Sequence, residues 1–410
     1  MTRRRLEVAD VFRRYRENYC DRYGPQTSAA QWRVMRAIEL CRTAALGGHV
    51  EQCDSCGHQV ISYNSCRNRH CPKCQSLAKE RWLQARRAEL LPVDYYHVVF
   101  TLPAQLAPLA LQNKKAVYDI LFRAASQTLL IIGTDPKHLG AEIGFLAVLH
   151  TWGQQLMHHP HLHCVVPGGG LSPDAPKWIS SRPGFFLPVR VLSRLFRRLF
   201  LQQLQQAFAQ GKLEFHGGIQ RLSQPRAFDQ LRQACRKIEW VVYAKPPFGG
   251  PEKALDYLGR YTHRIAISNH RLVSMKKGKV TFTYKNYQAG GRRQTITLDA
   301  QEFIRRLLLH VLPNGFVRIR YYGLLANCHR SRKLLLCRKL LKVPEEDAAP
   351  DNTGAATPAK PHWAELLLTL TGQDPLACPK CRQGQLVRSQ TFSPTPFPNR
   401  TRAPPGAARS

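Results

Sequence analysis

Apolar residues recur at three-to-four spacing in "EVADVFRRYRENY" and "SAAQWRVMRAIELCRTA", so the pattern predicts two amphipathic helices over residues 1 to about 45. A cysteine-dense segment follows, and then another helical pattern, "QSLAKERWLQARRAELL". From Asp94 the period changes. "YYHVVFTLP" is a β-branched and aromatic run closed by Pro103, which predicts a strand. "AVYDILFRAASQTLL" returns to the helical period, and "IGFLAVLHTW" with "HLHCVV" predicts two strands of a hairpin ended by "PGGG". "VRVLSRLFRRLFLQQLQQAFAQG" is an amphipathic helix with a basic face, and "EKALDYLGRYTHR" is a further helix after the breaker "PPFGGP". "RLVSMKKGKVTFTYKNYQAGGRRQTITL" alternates like a hairpin, with Lys277-Gly278 and Gly290-Gly291 as turns.

Strands and helices mix without regular βαβ alternation, so the fold class expected is α+β. The boundaries expected are an N-terminal helical and cysteine-bearing unit over 1–90 and a central domain over 91–343 with a helical insertion at about 185–240. A linker by composition covers 344–361, a short segment with a "CPKC" pair covers 362–390, and a Pro/Arg-rich, disordered tail covers 391–410.

Charge narrows the partner. The 410 residues carry a formal charge of +34, and a protein this basic suits a polyanion, nucleic acid above all. From Arg318 to Lys342 there are eight Lys or Arg and no acid, with Tyr321 and Tyr322 among them. Cations beside stacking rings suit single strands, although a solvated helix face would read the same way. The arginines near the N-terminus lack the apolar stretch of a secretory signal, and "TLLIIG" is too short to span a bilayer. The expectation is a bacterial cytosolic or nucleoid protein with no membrane partner. Thirteen cysteines, an odd count, then read as reduced thiols, many of them metal-bound.

"CDSCGHQVISYNSCRNRHCPKC" places Cys53 two residues from Cys56 and Cys71 two residues from Cys74. Each Cys-x-x-Cys can curl round one ion, and two such pairs complete a tetrahedral Zn2+ site, with Cys66 and His70 as further candidate ligands. A closed four-ligand site is structural, so the work expected of it, with Arg67 and Arg69 on its loop, is gripping DNA or organising the N-terminal unit. Cys378 and Cys381 lack obvious partners, and read either as half a ribbon completed elsewhere or as a pair with no metal role.

On a strand, His161 and His163 of "HHPHLHCVVPGGG" share one face about 7 Å apart, with Leu162 turned to the core. That arrangement can hold a divalent ion with open positions; a satisfied polar strand end is the bland alternative. His158 and His159 precede Pro160 and are expected outside the strand, exposed. The third ligand expected is His150, at the end of the preceding strand, with Asp256 and Glu142 as alternatives. A metallo-β-lactamase pattern fails, because Cys164 and Val165 stand where an Asp-His should follow. Tyr257 and Tyr261, four apart on a helix, align on one face, either as ordinary packing or as nucleophiles toward a metal-activated phosphodiester.

Taken together, "FTLP" (Phe100 to Pro103), "HPHLHCVV", "YLGRYTHR" and "YNSCRNRHCPKCQ" resemble the rolling-circle HUH (two-tyrosine) transposases of the insertion-sequence ninety-one family. The order, and the 94 residues from His163 to Tyr257, fit that pattern. The resemblance implies an HUH core of antiparallel sheet with flanking helices and an N-terminal zinc-binding domain. It implies Mg2+ or Mn2+ on His161 and His163, and Tyr257 and Tyr261 as nucleophiles forming a 5′-phosphotyrosine. The substrates implied are single-stranded DNA at mobile-element ends and target DNA. Arg67, Arg69, Arg318, Arg320, Arg330, Arg332 and Lys333 are the candidate DNA contacts. The alternatives are a non-catalytic zinc-ribbon DNA-binding protein, either a regulator or an inactivated relic, and an HUH replication initiator. The sequence does not indicate an oligomeric state.

Overall fold

In the computed structural model the alternating apolar runs pair as antiparallel strands, and the three-to-four periodic runs become the helices that cover them. The structure describes residues 6–395 except 88, 175, 246–249, 252, 254–256, 258, 260–261, 263–264, 288 and 345–362. Helices α1 (Val8–Tyr23) and α2 (Ala29–Leu40) open the chain, the second started by a capping box between Ser28 and Gln31. Strands β1 (Gly48–Cys53) and β2 (Gln59–Tyr63) and helix α3 (Gln75–Arg87) carry the cysteine segment. Then come β3 (Tyr95–Thr101), α4 (Ala107–Gln112), α5 (Lys114–Thr134), β4 (Gly144–Trp152) and β5 (His158–Pro167). A short hairpin, β6 (Gly169–Leu171) and β7 (Trp178–Ser180), leads to α6 (Val189–Ala209), α7 (Pro225–Lys237) and β8 (Val242–Lys245). The described residues between 251 and 262 are helical. A meander of β9 (Leu272–Lys276), β10 (Lys279–Asn286) and β11 (Arg292–Asp299) precedes α8 (Ala300–Leu308), β12 (Ile319–Gly323) and α9 (Arg330–Leu340). Helix α10 (Trp363–Thr371) and strand β13 (Leu386–Phe392) close the described chain.

The central sheet runs β12-β4-β5-β3-β8, with each neighbour antiparallel. Its register sorts side chains by parity. Val98, Phe100, Phe145, Ala147, Leu149, Leu162 and Cys164 enter one core with Leu121 and Phe122 of α5 and Phe196 and Phe200 of α6. The opposite parity places Leu146, Val148 and Val165 against Leu83 of α3, and the histidines lie on this second face. The segment expected as an insertion at 185–240 is therefore the back layer of the sheet, with Phe196 stacked edge-on to Phe100 at 5.0 Å. Helix α5 is long and apolar enough to cross a bilayer by length and composition, which the sequence reading overlooked, but 67% of that window is buried inside the fold.

The first and last described segments do not stand apart. Phe12 of α1 and Met35 and Ile38 of α2 share a core with Phe282 of β10 and Phe303 and Leu308 of α8. The helices expected in a separate 1–90 unit thus pack on the second sheet. Strand β13 pairs with β1 in a sheet of order β13-β1-β2, so the short C-terminal segment expected at 362–390 folds back on the N-terminal region. Residues 391 and 392, expected in a disordered tail, end that strand, while residues 396–410 and the linker beyond Pro344 lie outside the described residues.

Two neighbours on β5 test the parity. Replacing fully buried Leu162 by Ala should cost about 2–5 kcal/mol. Replacing half-buried His161 by Ala should cost less than roughly 1 kcal/mol. Equal losses in urea unfolding of the two variants would contradict the register.

Candidate active site and metal centres

Register brings three imidazoles to one place. His150 of β4 lies directly opposite His161 of β5, and His163 follows two residues on, on the same face. Their ring centroids stand 5.6 Å (His150–His161), 4.5 Å (His150–His163) and 4.8 Å (His161–His163) apart. One nitrogen from each lies within 4.8 Å of the others, a spacing one ion can bridge. The rings of His161 and His163 are closer than the 7 Å of bare strand geometry because the side chains converge. His161 Nδ1 donates to the His159 carbonyl at 2.7 Å, so Nε2 is its lone-pair nitrogen.

The sequence reading missed the residue that ties this cluster to the tyrosine. His97, on β3, is buried and its Nε2 lies 2.8 Å from His163 Nδ1. Its other nitrogen, Nδ1, lies 3.0 Å from the Tyr257 hydroxyl. Burial, then the nearby charges of Lys245 and His161, hold the His97 pKa down to about 3, so this imidazole is neutral at neutral pH. The available signal was a histidine between apolar positions of "YYHVVFTLP", three residues before the motif that drew attention. Gly259 has a separate reason: a Cβ there would stand 2.7 Å from Leu83 Cδ1 and 2.8 Å from Lys79 Cε, so the tyrosine-bearing helix rests directly on α3.

Tyr261 and Asp256 lie outside the described residues. Glu142 is excluded as a third ligand, since it precedes β4 and stands eight residues, roughly 26 Å of strand, from His150. It pairs with Lys333 instead. His158 belongs to β5 rather than to an exposed lead-in, and its ring bonds the Tyr118 hydroxyl at 2.8 Å; burial lowers its pKa to about 4. His159 likewise lies within β5 rather than before it, although it is exposed as expected.

The cysteines divide differently from the sequence expectation. Cys71 and Cys74 do not join Cys53 and Cys56; they meet Cys66 and Cys41, the last a lone cysteine at the end of α2 with no motif to mark it. Cys53 and Cys56 meet Cys378 and Cys381. Four sulfurs each about 2.3 Å from one zinc ion stand roughly 3.8 Å apart along tetrahedral edges. In the first cluster Cys41–Cys74 and Cys66–Cys74 measure 3.5 and 3.6 Å. Hydrogen bonds among the four sulfurs lower the pKa of the Cys74 thiol and raise those of Cys66 and Cys71, as expected of thiols that share protons at close range. All thirteen cysteines are free of disulfides. His70 is not in the cluster: its Nδ1 faces Asn68 and its Nε2 accepts from the Leu312 amide.

Most of the expected DNA-contacting cations are engaged inside the fold. Arg69 donates to the carbonyls of Phe316 and Pro313, and Arg318 donates to the Thr262 carbonyl at 2.8 Å, bracing the tyrosine-bearing helix. Arg320 pairs with Asp119, Arg330 with Glu89, and Lys333 with Glu142. Arg67 and Arg332 are exposed. A different basic surface emerges between α6 and α7, where Arg194, Arg198 and Arg236 are exposed beside Gln202, Gln205 and Gln206 in one groove.

Residues 144–333 match the family described as "Putative transposase", and residues 11–102 match the family described as "Transposase zinc-binding domain". "Putative transposase y4qJ" of Sinorhizobium fredii is 58% identical over 402 residues, 98% of this chain and 99% of its own. "Transposase for insertion sequence element IS801" of Pseudomonas savastanoi pv. phaseolicola is 28% identical over 349 residues, 83% of this chain and 79% of its own. No solved structure matches the chain. The zinc-binding match spans all four cysteines of the Cys41 cluster but only the Cys53–Cys56 half of the other.

Replacing Cys41 by Ser removes one of four thiolates. If about a quarter of the roughly 10–16 kcal/mol of a structural zinc site is lost, zinc retention against a chelator falls on the order of a hundredfold. Cys20→Ser, outside both clusters, should leave it unchanged. Equal retention in the two variants would remove Cys41 from the site.

Proposed function

The chain belongs to the transposases of the insertion-sequence ninety-one family, and from that premise we propose that it cuts and rejoins single-stranded DNA at mobile-element ends through a 5′-phosphotyrosine on Tyr257. The observation that carries this reading is the line from the Tyr257 hydroxyl through His97 to His163. His150, His161 and His163 would hold Mg2+ or Mn2+, which when bound withdraws charge from a phosphate.

Proton bookkeeping assigns His97 its role. As a ligand through Nε2, His163 carries its proton on Nδ1 and donates it to His97 Nε2. Neutral His97 then carries its own proton on Nδ1, where it donates to the Tyr257 oxygen. A donor aimed at that oxygen favours phenolate over phenol. His97 therefore steadies the nucleophile rather than accepting its proton. The Tyr257 phenol gives its proton to solvent, the phenolate oxygen attacks phosphorus, the bond from phosphorus to the 3′ oxygen breaks, and that oxygen takes a proton from solvent to leave as a free 3′-OH. The phosphotyrosine ester keeps the bond energy, so an incoming 3′-OH reverses the step without ATP. Tyr261, four residues on, would serve the second strand in a rolling-circle sequence of cuts.

A non-catalytic DNA-binding chain would have no need of a buried histidine joining a tyrosine to three others. A replication initiator would use the same chemistry, but family membership favours transposition.

An oligonucleotide carrying an element end, incubated with Mn2+, should yield a covalent DNA adduct on a denaturing gel. Tyr257→Phe should abolish adduct at Tyr257, and His97→Ala should slow its formation by about 10–100-fold with the zinc content unchanged. An undiminished Tyr257 adduct rate in His97→Ala would dismiss the role given to His97, and adduct absent from wild type would dismiss the whole reading.

The α6–α7 groove supplies the cations for the DNA backbone. Changing Arg194, Arg198 and Arg236 together to Gln should lower the salt dependence of single-strand binding by a log–log slope of roughly two, from about 0.7 per phosphate contact. An unchanged slope would take the groove off the DNA path.

A further inference from the structure

The cysteine cluster that the family's zinc-binding region covers only by half is built like a complete site. Cys53–Cys381 and Cys56–Cys378 stand 3.7 Å apart, at tetrahedral-edge spacing, although the partners are 328 and 322 residues apart in sequence. Its two halves repeat one another's backbone. The Gly57 amide donates to the Cys53 carbonyl at 3.1 Å, and the Arg382 amide donates to the Cys378 carbonyl at 3.0 Å. Gly57 and Arg382 both take the left-handed conformation, with φ of 69° and 59°. Amides also aim at sulfur on both sides: Ser55 and Cys56 donate to Cys53 Sγ, and Gly384 donates to Cys381 Sγ, each at 3.4 Å. Such N–H···S bonds stabilise thiolates that share an ion.

The two halves also lock to each other directly. The Gln385 amide donates to Asp54 Oδ1 at 2.8 Å, and the Asp54 amide donates to the Gln385 carbonyl at 3.0 Å. A Cβ at Gly384 would lie 2.6 Å from Cys53 Sγ, so glycine is what lets the second loop close on the first. Strand β13 then leaves the site paired along β1, with Cys53 opposite Leu386.

We propose that Cys53, Cys56, Cys378 and Cys381 bind a second zinc ion in a composite site, one Cys-x-x-Cys from each end of the chain, which fastens the C-terminal segment to the N-terminal zinc-binding region. The reason for a metal here is energetic. Among the described residues only Cys53, Cys378 and Leu386 are buried in this cluster, too little apolar surface to hold two distant segments together. Four metal–thiolate bonds supply what the core lacks. The fastened segment also matters to the tyrosine helix, because α10 packs on α3, and α3 carries the close contact with Gly259.

Full-length protein purified under reducing conditions should contain about two zinc equivalents by elemental analysis, and the Cys378→Ser, Cys381→Ser double variant about one. In the same variant, trypsin should cut at Lys380, Arg382 or Arg388 at least tenfold faster than in wild type. Cadmium-113 substitution of the wild-type chain should give two tetrathiolate resonances, a measurement that does not depend on a folded variant. A single equivalent and a single resonance in wild type, or two equivalents retained in the double variant, would overturn the proposal. None of these readouts involves DNA cleavage, so they stand apart from the fate of the phosphotyrosine reading.

Discussion

The pairing of β4 with β5 is the constraint on which the site depends. With His150 opposite His161, every second residue of both strands is committed to a face. A slip of one position would turn Leu149 and Leu162 out of the core and drive the histidines against Phe196 and Phe200. Burying those side chains thus enforces the register, and the register gathers the imidazoles. The same sheet sets β3 beside β5, which is how His97 reaches His163. Packing of an apolar back layer, α5 and α6, is therefore the source of precision on the polar front face.

That front face is closed by the N-terminal region. Leu83 of α3 packs on Leu146, Val148 and Val165, and the same side chain lies under Gly259 of the tyrosine-bearing helix. Cys71, a member of the first cluster, is itself buried in the core that holds Phe12 and Phe303. A zinc-binding region is thereby part of the wall of the histidine-bearing face.

The large positive charge has two uses. Arg69 bridges two carbonyls with its planar guanidinium, Arg318 holds the Thr262 carbonyl, Arg320 and Arg330 each pair with a carboxylate and lie over a ring, and the Lys333 ammonium pairs with Glu142. Other cations stay exposed, among them Arg67 and Arg332 and, in the groove between α6 and α7 on the opposite side of the sheet from the histidines, Arg194, Arg198 and Arg236. A dense basic run in sequence is consequently a poor map of exposed charge, because tertiary partners decide which cations are engaged.

Local periodicity was enough to determine the helices, the β4–β5 hairpin, the shared face of His161 and His163, and the burial of Leu162, since these follow from repeats of 3.6 and 2.0 residues. It also brought His150 within reach, because a hairpin is a short-range object. Only the tertiary structure decided the rest. Cys71 and Cys74 parted from Cys53 and Cys56 because β1 and β2 carry the first pair to one end of their sheet, while Cys41 at the end of α2 approaches the second. Cys378 and Cys381 found partners more than three hundred residues away through the β1–β13 ladder. His97 meets both His163 and Tyr257 because β3 aligns with β5 and the tyrosine helix rests on α3. Spacing within a segment constrains only neighbours on one element, whereas ligands contributed by separate elements meet through packing that no local pattern records.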